Sequence, residues 1–248
     1  MEKILLEAPV FTVEAAIKAA EYGIDRLELC SDFGEGGETP SAGMLAFLKE
    51  KVDIPIFVML RPRGGDFVYT SEELYVMKKD IAILKNLGAD GFVFGVLDSE
   101  GNVDKEACKY LINVAEDLPC TFHRAFDIAA DKKKALNMII DLGFKRILTS
   151  GGENDVSKGL DTILELMDLA KEEIIIMPGG GSKPEHVTQL NRNGRLREIH
   201  ASCKGYRATQ SDYFHPSVSL STDPNAFRQV LTVDQAMVNK FKKELTAQ

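Results

Sequence analysis

A short apolar run followed by an amphipathic stretch, repeated eight times, is the feature that most limits what this chain can become. The runs fall at 4–7, 24–30, 56–60, 91–94, 120–122, 146–149, 174–177 and 196–200. Their length and bounding residues read as strands. Between them lie helix signals. Thr12 caps a helix over 13–20 that Gly23 ends, and Ser41 caps a second. Thr70-Ser71-Glu72-Glu73 is a capping box for a long helix closed by Gly88, and Asp104 caps a helix reaching Asp117. Further helices are expected at 131–142, 156–170, 184–190 and 234–245. Strict alternation implies parallel strands joined by right-handed crossovers. Eight such units suit a closed (β/α)8 TIM barrel of the α/β class better than an open doubly wound sheet. No linker or shift in composition divides the chain, so 1–248 is expected to form one domain. The stretch 204–233, holding Tyr206, Tyr213, Phe214 and His215, reads as a long irregular excursion before the final helix: a lid, a subunit contact or a loose loop.

Composition narrows the function classes. Apolar residues make up 44% and the net charge is −8. The first supplies a core, and the second leaves no broad basic surface to replace the counterions of a nucleic acid. No apolar run approaches the roughly 20 residues of a membrane span, and the N-terminus lacks a basic, long-apolar leader. A cytoplasmic protein with neither nucleic-acid nor membrane partners is expected. The four cysteines (Cys30, Cys108, Cys120, Cys203) lack paired spacing, so neither a zinc knuckle nor a thioredoxin motif is written here.

Polar residues then stand where apolar ones would suffice. In a barrel of this kind the helix-facing side of each strand must be apolar. Leu6 outward leaves Glu7 inward, and Leu27 and Leu29 outward leave Arg26, Glu28 and Cys30 inward. Phe122 outward leaves Thr121 and His123, and Ile199 outward leaves Glu198 and His200. Each buried ion costs several kcal/mol, and a barrel does not need so many merely to close. These charges either pair in an internal salt-bridge network, such as Glu28 with Arg61, or form a site at the strand C-termini. Glu28, His123, Asp127 and His200 are therefore candidate catalytic groups, with Glu7 and Arg26 in the barrel interior. Arg61, Arg63 and Arg124 are candidate anion clamps. Gly179, Gly180 and Gly181 follow the seventh strand, where barrels often bind phosphate, and Ser150 and Gly151 can join them. His186 and His215 fall in helix and loop contexts and are expected to be solvated. These residues support an enzyme acting on a small phosphorylated or carboxylated metabolite, or a non-catalytic barrel that binds one. His200 with Glu7 can alternatively hold a divalent metal beside Glu28.

Six segments also resemble one family. They are Arg26-Leu27-Glu28-Leu29-Cys30, Thr39-Pro40-Ser41, the MLRPRGGDFVY run over 59–69, the TFHRAFD run over 121–127, Leu148-Thr149-Ser150-Gly151 and the MPGGG run over 177–181. Together they resemble the CutC family over about residues 4 to 202. The resemblance implies a TIM barrel, a cytoplasmic homo-oligomer (dimer or tetramer) and a role in copper homeostasis through Cu(I) binding by cysteine, here Cys30. In many relatives the first strand ends in Glu-Val-Cys. Here it reads Leu6-Glu7-Ala8, with Ala8 in place of a cysteine, so Cys30 must recruit Cys203, His200 or Met59, or bind copper across a subunit contact.

Overall fold

In a computed structural model, residues 3–218, 221, 223 and 225–247 of the chain are described. Eight parallel strands form a ring: β1 (Leu5–Val10), β2 (Arg26–Leu29), β3 (Ile56–Met59), β4 (Gly91–Phe94), β5 (Cys120–Phe122), β6 (Arg146–Thr149), β7 (Ile175–Pro178) and β8 (Glu198–His200). Hydrogen-bonded ladders run from β7 in descending order to β1 and then to β8. β7 and β8 lie side by side, but among the described residues no ladder joins them. The expected TIM barrel is therefore present, with one seam not closed by backbone.

Helices α1 (Val13–Tyr22), α2 (Ala42–Lys49), α3 (Ser71–Asn86), α4 (Lys105–Ala115), α5 (Lys132–Asp141), α6 (Val156–Ala170) and α7 (Pro184–Leu190) follow their strands in turn, and α8 (Gln235–Thr246) comes last. The caps act as the sequence predicts. Thr12, Ser41 and Asp104 each accept a backbone N–H of the first helical turn, and Thr70 with Glu73 completes the capping box. Asp131, read from the sequence as the first residue of its helix, caps α5 in the same way. The core lies between strands and helices, where Leu6, Ala8, Leu27, Leu29, Val58, Phe92, Phe122, Ile147 and Ile199 meet the helices' apolar faces. Among the described residues no helix is long and apolar enough to cross a membrane.

Three expectations change. β1 runs on to Val10, which its pairing with Leu29 holds in the ladder, and β2 and β8 are shorter than their apolar runs. The stretch 204–233 is not irregular throughout. β9 (Lys204–Ala208) and β10 (Gln229–Val233) form an antiparallel pair, with Leu231 opposite Tyr206. The pair is anchored on α1: Arg207 donates to Glu14 at 2.6 Å, and Thr12 donates to the Leu231 carbonyl. Residues 219, 220, 222 and 224 lie outside the described residues. Finally, His186 is buried, not solvated. Its Nδ1 accepts the Lys183 N–H, and its Nε2 meets Ser157 at 3.3 Å. His215 is exposed, as expected.

Candidate functional site

Side-chain alternation fills the ring in two polar layers. The lower one is self-neutralising. Arg26 donates to Glu7 and Glu198, and Arg146 donates to both oxygens of Glu198, at 3.0 and 3.3 Å. Both guanidinium groups lie over the Phe57 ring, 4.7 and 5.0 Å from its centroid. Two cations and two anions, all buried, thus pair across β1, β2, β6 and β8. Such closure is what burial demands of charges.

The upper layer borders a cavity of about 320 Å³ at the strand C-termini, lined among others by Pro9, Glu28, Met59, Arg61, His123, Arg124, Leu148, Gly180, Gly181 and His200. Here pairing is incomplete. His200 Nδ1 lies 2.8 Å from Glu7 Oε1, while its Nε2 stands 3.9 Å from Glu28 Oε2. Among the described residues, Glu28 Oε1, Arg61 Nε and His123 Nε2 are buried without a hydrogen-bond partner. Buried polar atoms are rarely left so, and a ligand is one explanation for three in one cavity.

The electrostatics follow from this geometry. Burial pushes the Glu28 carboxyl up to about 7, with nearby Glu7 adding to it against the pull of His200. Burial also opposes charge on Glu7, yet Arg26 and His200 hold it down at about 2. His200 is raised, because Glu28 and Glu7 outweigh the cost of its burial. His123 goes the other way, to about 3, through burial and then the nearby Arg61 cation. Its Nδ1 accepts the Ala125 N–H, which assigns the ring proton to Nε2, where it can donate into the cavity. Cys30 is fully buried beside Glu28, with Sγ 3.6 Å from Oε2. Burial and that carboxylate raise its thiol well above the ordinary range.

The structure therefore brings Glu7, Glu28, Arg61, His123, Arg124, Gly180, Gly181 and His200 together and sets other expected residues apart. Asp127 does not line the cavity, and both its oxygens are filled. It accepts from Arg124 Nε at 2.7 Å, Thr149 Oγ1 at 2.5 Å, Ser150 Oγ at 2.9 Å and the N–H groups of Ser150 and Gly152. Ser150 is spent on Asp127 and Arg124, and Gly151 packs against the Gly159 backbone. Arg63 turns away to Asp66 and Glu73. Arg61 is mostly a tie for loops. It donates to the carbonyls of Glu35, Gly37 and Gly65 and lies 5.0 Å from the Phe67 ring centroid. Gly179 makes room: a Cβ there would come within 2.3 Å of Leu148 and 3.0 Å of His200. Gly180 carries the Arg124 guanidinium, 2.9 Å from where its Cβ would be.

The β1 position facing the cavity is Pro9, not Ala8. Ala8 points to the helices with Leu6, whereas Pro9 stands opposite Glu28 and lines the cavity. A thiol at the Ala8 position would therefore face the helices and could not partner Cys30 across the cavity. Cys203 belongs to the outer core and Cys30 to an inner cluster with Phe57, Met59 and Val93. Arg146 was not foreseen, although its spacing from Leu148 marks both as inward-facing. Phe11, Phe33 and Phe67 also line the cavity, from loops that carry no periodic signal.

The CutC family model matches residues 4–205. The human copper homeostasis protein cutC homolog is 44% identical over 216 residues, covering 87% of this chain and 79% of its own length. A CutC family protein of Klebsiella pneumoniae is 40% identical over 245 residues, 98% of both chains. The crystal structure of the CutC protein from Streptococcus agalactiae superimposes with a TM-score of 0.75 at 35% identity, covering 80% of this chain and 98% of that one. The aldolase QR15, at 16% identity and a TM-score of 0.54 over 81% of this chain and 90% of its own, shares the fold alone.

Proposed function

This chain belongs to the CutC family, and on that premise we propose that it takes part in copper homeostasis, binding Cu(I) through Cys30 at the inner wall of the barrel. The observation that supports this is a pair of soft donors in one buried cluster, the Cys30 thiol and the Met59 thioether. Both border Gly37, where a Cβ would lie 3.3 Å from Cys30 Sγ and 3.5 Å from Met59 Cε. A thiolate and a thioether suit Cu(I), and the Glu28 carboxylate 3.6 Å from the thiol can take its proton. With Pro9 opposite Glu28, Cys30 supplies the one thiolate of the cluster and Met59 the second soft donor. Competition titration with a Cu(I) chelator tests this. Cys30→Ser is expected to lose at least about tenfold in affinity, and an unchanged value overturns the assignment. The same reading puts the protein in the cytoplasm as a homo-oligomer, as its family resemblance implies.

A second reading is favoured by the three unpartnered atoms of Glu28, Arg61 and His123. The cavity would take a small phosphorylated or carboxylated metabolite, anchored by Arg124 over Gly180 and Gly181. His123 Nε2–H would donate to a substrate oxygen, and the Glu28–His200 couple would exchange protons with it, two groups whose shared site favours proton transfer near neutrality. Metabolites retained by purified protein and identified by mass spectrometry test it. Glu28→Gln is expected to retain a different set, and identical sets count against this reading. Turnover separates an enzyme from a barrel that only binds.

A further inference from the structure

The geometry points to a binding site for one divalent transition-metal ion, held by His200 Nε2 and a Glu28 carboxylate oxygen, with Glu7 fixing the imidazole from behind. Glu7, Glu28 and His200 each offer a ligand atom, all within 4.8 Å of one another, and all three are buried. The 3.9 Å between His200 Nε2 and Glu28 Oε2 is too long for a hydrogen bond. An ion about 2.0–2.2 Å from each atom fits between them once the Glu28 carboxylate swings a few tenths of an ångström toward the ring. Glu7 Oε1 meets His200 Nδ1 at 2.8 Å, the carboxylate–histidine pairing that puts the proton on Nδ1 and leaves the Nε2 lone pair for a metal.

A separate observation also asks for a ligand. Glu28 Oε1 is buried without a partner among the described residues, in a side chain that lines the cavity. His123 Nε2, in the same cavity, is in the same condition. The lower layer makes the site feasible. Arg26 and Arg146 are balanced by Glu7 and Glu198, so Glu28 is the carboxylate left to neutralise an ion. Nitrogen and oxygen donors select a borderline or hard divalent ion rather than Cu(I). The ion's other positions face the cavity and can take an oxygen of an anionic ligand. This site goes beyond the copper reading, since its donors are not the sulfur atoms of Cys30 and Met59.

The test uses the full chain, stripped with a chelator and titrated with Co(II) alone, followed by visible absorption and bound-metal analysis. One Co(II) per chain is expected, with no thiolate-to-cobalt band. Glu28→Gln and His200→Gln are each expected to weaken binding by about 100-fold, and Glu7→Gln by about 10- to 100-fold. Cys30→Ser is expected to take up Co(II) while its Cu(I) affinity falls at least about tenfold, which separates this site from the copper site. Circular dichroism of each variant checks folding, and wild-type uptake stands as a measurement that needs no variant. Failure of folded wild type to take up Co(II) overturns the site. So does uptake untouched in folded Glu28→Gln and His200→Gln, or a thiolate band that vanishes in Cys30→Ser.

Discussion

His123 shows how one side chain's surroundings set its chemistry. Burial and Arg61 hold it at about 3, against an ordinary value of 6.5. Below pH 6.5 the unfolded chain takes up a proton that the folded chain refuses. The stability tied to this imidazole is therefore whole above pH 6.5 and is lost as pH falls toward 3. Between pH 7.5 and 4 the thermal midpoint of wild type is expected to fall more steeply than that of His123→Phe. Parallel curves would mean that the ring is protonated where it stands. At this scale the sequence was legible where alternation decides. Glu7, Arg26, Glu28, His123 and His200 all point inward as their strand positions require. It was not legible for Arg61 and Asp127, whose types suggested a clamp and an acid. Type does not say that a guanidinium will meet three carbonyls first.

Elements were easier to read than their junctions. Caps and apolar runs located every barrel helix and strand, because each signal is local. The β9–β10 pair was missed because its partners are separated by a long loop, and it is held by contacts to α1 that no local pattern announces. Close approach between elements leaves no mark either, except in glycine. Gly159, within α6, has its missing Cβ 1.8 Å from the Ser150 carbonyl oxygen. Gly159→Ala must push α6 off the loop that holds Asp127, an overpacking cost of about 1–3 kcal/mol. Gly43 in α2 is exposed, with nothing within 4 Å. There the same change is expected to add about 0.4–1 kcal/mol by restricting the unfolded chain. Urea midpoints of the two variants should move in opposite directions, and a shared direction would refute the packing argument for α6.

For the whole molecule, the question is what closes the ring. β8 has a ladder to β1 and none to β7 among the described residues. What reaches across from β6 is Arg146, meeting Glu198 on β8, and Arg26 on β2 grips the same carboxylate. Removing that anion leaves two buried cations sharing Glu7. Glu198→Gln is expected to cost roughly 3–5 kcal/mol and to speed hydrogen exchange at the β8 amides more than at those of β4. Uniform exchange across the ring would mean that the seam needs no charge. The apolar runs and their order made the barrel foreseeable. The seam was not, because it depends on how far each strand's pairing extends in three dimensions. Its composition has a thermal consequence. Stripping water from an ion grows less costly on warming, while the gain from sequestering hydrocarbon levels off. A joint made of guanidinium and carboxylate should therefore keep its share of cohesion in hot solution, and heating should loosen the helical jacket before it parts the staves.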